Sequence, residues 1–211
     1  MKRVINLDNW NRKEHFKFFS ALDDPFWGIT TTVDFTSIYQ QSKNMEVSFF
    51  LYSVHFLLKC INATTAFKLR IENGEVVEYD KINISPTIGR VDGTFGFGFF
   101  EYDTDLSLFI ENAEKEIHRV KNSTGLSFSK DTARADVIRY SALPWFAFSE
   151  MKHAGSIQTG DSIPKISTGK LIQEKKKLLL PISISVHHGL VDGRNVAEFI
   201  QNVKDGQNNT L

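Results

Sequence analysis

One cysteine, Cys60, is all that this 211-residue sequence contains. A single thiol excludes an intrachain disulfide and any metal site built from several cysteines. Lys and Arg together number 25, as do Asp and Glu, so the chain lacks the basic excess of nucleic-acid-binding proteins. No apolar run approaches membrane-spanning length, and the N-terminus lacks the apolar segment of a signal peptide. We therefore expect no nucleic-acid partner, no membrane association and a cytoplasmic location.

Phenylalanine is the residue that the sequence has in excess, at 18 of 211 positions. The rest of the composition is ordinary, with 41% hydrophobic and 24% charged residues. The length fits a single domain of residues 1–211 with a sizeable core. So many rings must fill that core, a subunit interface, an apolar pocket or a mixture of these.

Apolar residues recur at helical spacing in five stretches. They are residues 10–20, 36–43, 47–61, 104–120 and a closing segment marked by Val196, Phe199, Ile200 and Val203. Thr36 or Ser37 is the expected cap of the second helix. The polar run 121–136 predicts a loop.

Strand signals stand between these helices. β-Branched residues predict a strand over 28–35, and the run 178–186 predicts a buried strand. Asn73-Gly74 predicts the tight turn of a hairpin. Residues 137–148 have strand character, which Pro144 limits to an edge or a bend. Because strands and helices are interspersed without regular alternation, the pattern predicts a mixed α/β domain.

Glycine and phenylalanine alternate from Phe95 to Phe99. Glycines on alternate strand positions let another group approach one face closely while the rings occupy the other. The same pattern also fits a barrel-like bend packed against a helix, and the residues alone favour neither interpretation.

The segment VHHGLVDG, residues 186–193, follows the buried strand and precedes the closing helix. Adjacent strand residues point to opposite faces, so the two histidines should diverge, which argues against a shared metal ion. Asp192 could be a helix N-cap, and His187 could be a core histidine bonded to a backbone carbonyl. The more exposed histidine could serve as a general base.

HH-x-x-x-DG after an apolar strand resembles the signature of the coenzyme A-dependent acyltransferases. Three further segments resemble the chloramphenicol acetyltransferase branch in particular: NWNRKEHFKFF near the N-terminus, YSALPW at 140–145 and PKIS at 164–167. Their order and separations agree from residue 7 to about 203. The resemblance implies a two-layer sandwich with a mixed β-sheet packed against helices. It also implies acetyl-CoA as co-substrate, a small-molecule alcohol acceptor, and a homotrimer with active sites between subunits.

The resemblance assigns roles to four catalytic candidates. His188, the second histidine of the pair, would be the general base, and His187 would be structural. Ser141 would stabilise the oxyanion of the tetrahedral intermediate. Asp192 would pair with Arg12 and hold the histidine loop in shape.

Substrate-binding roles follow from the same resemblance. Ser167 stands where the family usually has a threonine that binds a water near the oxyanion. Phe95 and Phe128 fall where the family lines its acceptor pocket with rings, although either could be an ordinary core residue. Phe19 replaces a tyrosine that bonds the drug, and His153 replaces an apolar lining residue. Both replacements concern binding of the acceptor rather than the acetyl-transfer reaction itself.

The leading hypothesis is O-acetylation of chloramphenicol by direct transfer from acetyl-CoA in a ternary complex. A second hypothesis keeps this chemistry but changes the acceptor to another small hydroxylated compound, as Phe19 and His153 suggest. A third is a non-catalytic trimeric binding protein. A dihydrolipoyl acyltransferase core is a less expected alternative than these three, because no lipoyl-type domain precedes the catalytic motif.

Overall fold

The computed structural model describes residues 1–155 and 160–208. Within them are ten strands: β1 (Lys2–Val4), β2 (Phe26–Asp34), β3 (Leu69–Glu72), β4 (Glu75–Tyr79), β5 (Asn83–Gly89), β6 (Phe95–Phe97), β7 (Val137–Ala142), β8 (Lys165–Thr168), β9 (Ile172–Glu174) and β10 (Lys177–His187). The same residues form five α-helices: α1 (Lys13–Ser20), α2 (Thr36–Asn44), α3 (Phe49–Ala63), α4 (Leu106–Lys121) and α5 (Gly193–Asn208). Strands and helices are interspersed along the chain, which confirms the mixed α/β class.

The main sheet has the strand order β2-β10-β8-β7-β5-β6, and β9 pairs with one end of β10. β7 runs parallel to both β5 and β8, and the remaining pairs are antiparallel. A small second sheet, β1-β4-β3, contains the hairpin that turns at Asn73-Gly74, where φ is +51° and +79°. The predicted hairpin is therefore confirmed.

The two faces of the main sheet differ in polarity. Alternation along β10 places Ile182, Ile184 and Val186 on the apolar face, where helices α2, α3, α4 and α5 complete the hydrophobic core. The opposite face is polar: Ser183, Ser185 and His187 on β10 are joined in register by side chains of the neighbouring strands β8 and β7. One layer of helices on one face of a mixed sheet is the two-layer sandwich that the sequence led us to expect.

Most predicted elements are present with shifted ends. α1 begins three residues later than predicted, β2 begins two residues earlier, and α3 runs two residues further. The predicted cap of α2 is wrong, because the helix begins at Thr36 itself. Phe35 is the N-cap residue, and the carboxylate of Asp34, just before it, accepts the Thr36 amide at 3.0 Å and the Thr36 hydroxyl at 2.6 Å. β7 ends at Ala142, ahead of Pro144, as a proline bend requires.

The glycine–phenylalanine segment forms β6 and packs against α4. A Cβ atom on Gly96 would come within 2.9 Å of the Val120 side chain, 2.5 Å of Arg90 Nη2 and 2.6 Å of Ser127 Oγ. The groups that approach this strand closely are therefore side chains of the protein itself. This favours the packed bend over an open binding face.

Candidate active site

The two histidines occupy different environments at the end of β10. His187 is 4% exposed, and its Nδ1 accepts a hydrogen bond from the Gly189 amide at 3.2 Å, not the expected bond to a carbonyl. Burial, and to a smaller extent the neighbouring His188, lower the pKa of His187 to about 4, although Asp161 opposes the shift. The ring is therefore neutral near pH 7.

His188 is half-buried, and its ring is held between two aromatic side chains. It stacks on Phe19 with centroids 3.9 Å apart and planes 12° from parallel, and the Trp27 ring lies 5.3 Å away. The His188 amide donates to the Pro25 carbonyl at 2.8 Å. Nδ1 is buried without a partner among the described residues, which leaves Nε2 as the nitrogen available for proton transfer.

Arg12 and Asp192 form an ion pair that joins the start of α1 to the start of α5. The other oxygen of Asp192 accepts the amides of Arg194 and Asn195 at 2.9 and 3.2 Å, so the residue is also the helix N-cap. Burial raises the pKa of Asp192, but the bonds from Arg12 and these amides outweigh it, and the pKa is lowered. Arg12 Nη2 also lies 3.4 Å from the His188 carbonyl oxygen. The loop that carries His188 is thus tied to two helices.

Ser141 and Ser167 are direct neighbours on the polar face of the sheet. They are register partners on the parallel strands β7 and β8. Ser141 Oγ lies 3.2 Å from the Thr87 hydroxyl, and Ser167 Oγ lies 2.9 Å from Nε2 of His153. Ser167 is fully buried, whereas Ser141 is half-buried. The structure therefore brings Ser141, Ser167 and His153 into one cluster.

That cluster and His188 are far apart within one chain. In the sheet register, Ser141 pairs with Ser167, and Ser167 pairs with Ser183 of β10. Ser183 lies five residues before His188. The two sites are therefore separated by about 16 Å along β10 and about 10 Å across the sheet. One chain alone does not bring the candidate base to the candidate oxyanion donor.

Phe95 and Phe128 lie on the surface of the single chain, 48% and 69% exposed. Phe97 connects them, with ring centroids 5.7 Å from Phe95 and 5.4 Å from Phe128. The interpretation of either as an ordinary core residue is wrong. Both rings are accessible on the surface of the single chain.

A cavity of about 1050 Å³ opens between β2, the end of β10 and residues 149–155 and 160–165. Its wall includes His153, His187 and Lys165. Lys165 is 6% exposed, with Nζ 3.6 Å from the Asp161 carboxylate and 4.4 Å above the Phe26 ring. Sequence reasoning missed Lys165 and Asp161. The one available signal was the spacing in β8: Lys165 stands two residues before Ser167, so both side chains point to the polar face.

Two kinds of site find no support in the part of the chain that the structure describes. No three His, Cys, Asp or Glu side chains there are placed to hold a metal ion. Within residues 1–155 and 160–208, no helix combines the length and the apolar character that a membrane span requires.

Comparisons with known proteins identify the family of the chain. The sequence profile of the chloramphenicol acetyltransferase family matches residues 2–204. The chain is 27% identical over 208 residues to chloramphenicol acetyltransferase 3 of Escherichia coli, covering 98% of this chain and 97% of that one. It is 28% identical over 205 residues to a chloramphenicol acetyltransferase of Clostridioides difficile, covering 95% and 93%.

Solved structures show the same similarity. A chloramphenicol acetyltransferase superposes with a TM-score of 0.90 at 29% identity, covering 98% of this chain and all of that one. A probable dihydrolipoamide acetyltransferase from Listeria monocytogenes shares the fold, with a TM-score of 0.69 at 13% identity, covering 98% and 94%. From the match over nearly its whole length, the chain belongs to the chloramphenicol acetyltransferase family of acyltransferases.

Proposed function

We propose that the protein transfers the acetyl group of acetyl-CoA to a hydroxyl group of chloramphenicol in the cytoplasm and so inactivates the antibiotic. The observation that carries the proposal is the placement of His188. Its imidazole is stacked on Phe19, and its loop is tied down by the Arg12–Asp192 pair. Imidazole is the side chain best suited to exchange protons near neutral pH, and here its orientation is fixed before substrate binds.

The reaction proceeds directly between the two bound substrates. Nε2 of His188 takes the proton of the acceptor hydroxyl, and the oxygen attacks the thioester carbonyl carbon. The C–O bond forms as negative charge develops on the carbonyl oxygen. When the tetrahedral intermediate collapses, the C–S bond breaks and the coenzyme A sulfur receives the proton from His188. No acyl-enzyme is needed, because the thioester is already activated.

Ser141 stabilises the oxyanion of that intermediate. A preorganised donor aimed at the developing charge contributes about 3–4 kcal/mol. The Thr87 hydroxyl, 3.2 Å away, donates to Ser141 Oγ and leaves the Ser141 proton free to be donated. Asp192 and Arg12 take no part in proton transfer and act by holding the histidine loop.

A homotrimer completes the site, with His188 from one chain and Ser141 from its neighbour. The separation of these residues within one chain supports this assembly, because neither can serve the other in the monomer. Exposed rings support it as well: Phe95, Phe128, Trp145 and Phe146 are 48%, 69%, 73% and 53% exposed. An apolar surface of this kind is typical of an interface. Phe95 and Phe128 would then line the acceptor pocket.

The direct test follows release of free thiol from acetyl-CoA with and without chloramphenicol. We expect release to depend on the drug, and equal rates in both conditions would reject the proposal. His188→Ala should lower turnover at least about 10²-fold because the base is lost. His15→Ala, an exposed histidine on α1, is the matched control and should remain near wild type. Near-normal turnover of His188→Ala would reject that residue as the base.

A different small hydroxylated acceptor is the second candidate. The polar side chains of His153, Lys165 and Asp161 at the cavity favour it, as does Phe19, which lacks the hydroxyl of the tyrosine usual there. A panel of alcohols assayed with acetyl-CoA distinguishes the two. Chloramphenicol among the poorest acceptors would favour the second candidate.

A further inference from the structure

Ser167 sits at the centre of the polar face, with Ser141 on one neighbouring strand and Ser183 on the other. It is fully buried in the single chain, and a buried hydroxyl is normally hydrogen-bonded. His153 supplies one, with Nε2 2.9 Å from Ser167 Oγ. The direction of this hydrogen bond decides what the Ser167 proton can do.

His153 carries a single ring proton. Burial lowers its pKa, and the positive charge of Lys165 lowers it further, so the imidazole is neutral near pH 7. Nδ1 of His153 is buried and has no partner among the described residues. A buried N–H without an acceptor is rarer in proteins than an acceptor without a donor. The proton therefore belongs on Nε2, and His153 donates to Ser167.

This direction sets the role of the Ser167 hydroxyl. Because its oxygen accepts from His153, its own proton is free to be donated onward. Ser141 lies on the adjacent strand, about 4.8 Å away across the sheet, and its oxygen accepts from Thr87 at 3.2 Å. Ser141 and Ser167 are therefore neighbouring donors on one face, each supported by a residue behind it.

We infer that His153 is a positioning residue of the oxyanion site: as a neutral imidazole it fixes Ser167 Oγ as an acceptor and turns the Ser167 proton toward the charge that develops beside Ser141. The inference rests on the proposed acetyl transfer. The family has an apolar pocket-lining residue at position 153. The inference gives the polar His153 a role in stabilising the transition state. His153 acts through Ser167 and does not itself touch the reacting atoms.

Four variants test this in the intact oligomer, with acetyl-CoA and the best acceptor of the panel. His153→Leu should lower kcat about tenfold with KM for acetyl-CoA unchanged, because only the oriented donor is lost. Ser167→Ala should lower kcat by a similar factor. The double variant should be no slower than either single variant, because both remove the same donor. His153→Gln should recover kcat to within about threefold of wild type, because its amide can still donate.

His55→Leu is the matched control for the leucine substitution. His55 is half-buried on α3, its Nε2 lies 2.9 Å from the Asp103 carbonyl oxygen, and burial lowers its pKa, as at His153. We expect its kcat to stay near wild type. Thermal unfolding and gel filtration confirm that each variant is folded and assembled.

The activity of the wild-type protein distinguishes failure of the inference from failure of the proposed function. A folded wild-type protein that transfers no acetyl group to any acceptor would overturn the proposed function and the inference with it. An active wild type would leave the function standing. With an active wild type, any of three results would overturn the inference alone: wild-type kcat for His153→Leu, losses that multiply in the double variant, or a glutamine variant as slow as the leucine variant.

Discussion

His187 and His188 are adjacent in sequence but are suited to different tasks. The side chain of His187 is buried on the polar face of the sheet and is neutral near pH 7, with a pKa of about 4. That of His188 is half-buried and stacked flat on Phe19. Because neighbouring side chains diverge at the end of a strand, one histidine can be structural while the other, in the mechanism that we propose, meets substrate.

The buried state of His187 predicts a pH dependence of folding stability. Its pKa is about 4 in the folded protein and about 6.5 when unfolded. As pH falls from 6.5 toward 4, the unfolded chain binds a proton that the folded chain does not, so stability is lost in that window. The loss amounts to about 3 kcal/mol at its limit.

His187→Gln, which has no titrating ring, should show a smaller loss of stability over the same window. Urea unfolding followed between about pH 7 and pH 4 measures the slopes of both proteins. Asp161 and His188 remain in both, so their contributions largely cancel in the comparison. An identical slope for wild type and variant would contradict the assignment of His187 as buried and neutral.

At the scale of elements, β6 shows how a short strand is fixed by the helix behind it. Gly96 faces Val120 of α4, together with Arg90 and Ser127, at distances that leave no room for a side chain. Arg90 also donates to the Val120 and Gly125 carbonyls at 2.9 Å each. Close packing at Gly96 holds β6 and its exposed ring, Phe95, in place.

Gly96→Ala should therefore destabilise the protein. Its Cβ would come within 2.5 Å of Arg90 Nη2 and 2.9 Å of Val120 Cγ1, and overpacking of this kind costs about 1–3 kcal/mol. Gly89→Ala is the control, because nothing lies within 4 Å of a Cβ there. The midpoint of thermal unfolding should fall for the first variant and stay near wild type for the second. Equal midpoints would contradict the packed bend.

Local patterns predicted most of the elements, because periodicity and turn chemistry are read over a few neighbouring residues. The hairpin at Asn73-Gly74 and the buried strand β10 are examples. The α2 cap was missed because Phe35 has no capping side chain, and the carboxylate that accepts the Thr36 amide belongs to Asp34, one residue further out. The partner of Gly96 could not be predicted, since Val120 is 24 positions away and is brought there only by the tertiary fold.

The candidate site was predicted from sequence in its residues but not in all of its contacts. The expected partners Arg12 and Asp192, 180 positions apart, do lie together. The bond between His153 and Ser167 and the buried pair of Lys165 and Asp161 were not foreseen. Both arise on the polar face, where hydrogen bonds depend on side-chain directions that no sequence period encodes.

For the whole molecule, the central consequence of the fold is that one chain keeps the proposed base apart from the proposed oxyanion donor. His188 stands at the end of β10, and Ser141 stands two strands away and about five residues back in register. In the homotrimer that we propose, a closed ring of identical chains would join the base of one chain to the oxyanion donor of its neighbour. Phe95 and Phe128 are exposed in the single chain, so both rings are available to such an interface.

Mixing two inactive variants tests this claim most directly. His188→Ala keeps Ser141, and Ser141→Ala keeps His188. In any trimer that contains both chains, one of the three interfaces pairs an intact histidine with an intact serine. Unfolding and refolding the two variants together in equal amounts should therefore restore about a quarter of wild-type acetyl transfer. Activity no higher than that of the two variants assayed separately would contradict a site shared between chains.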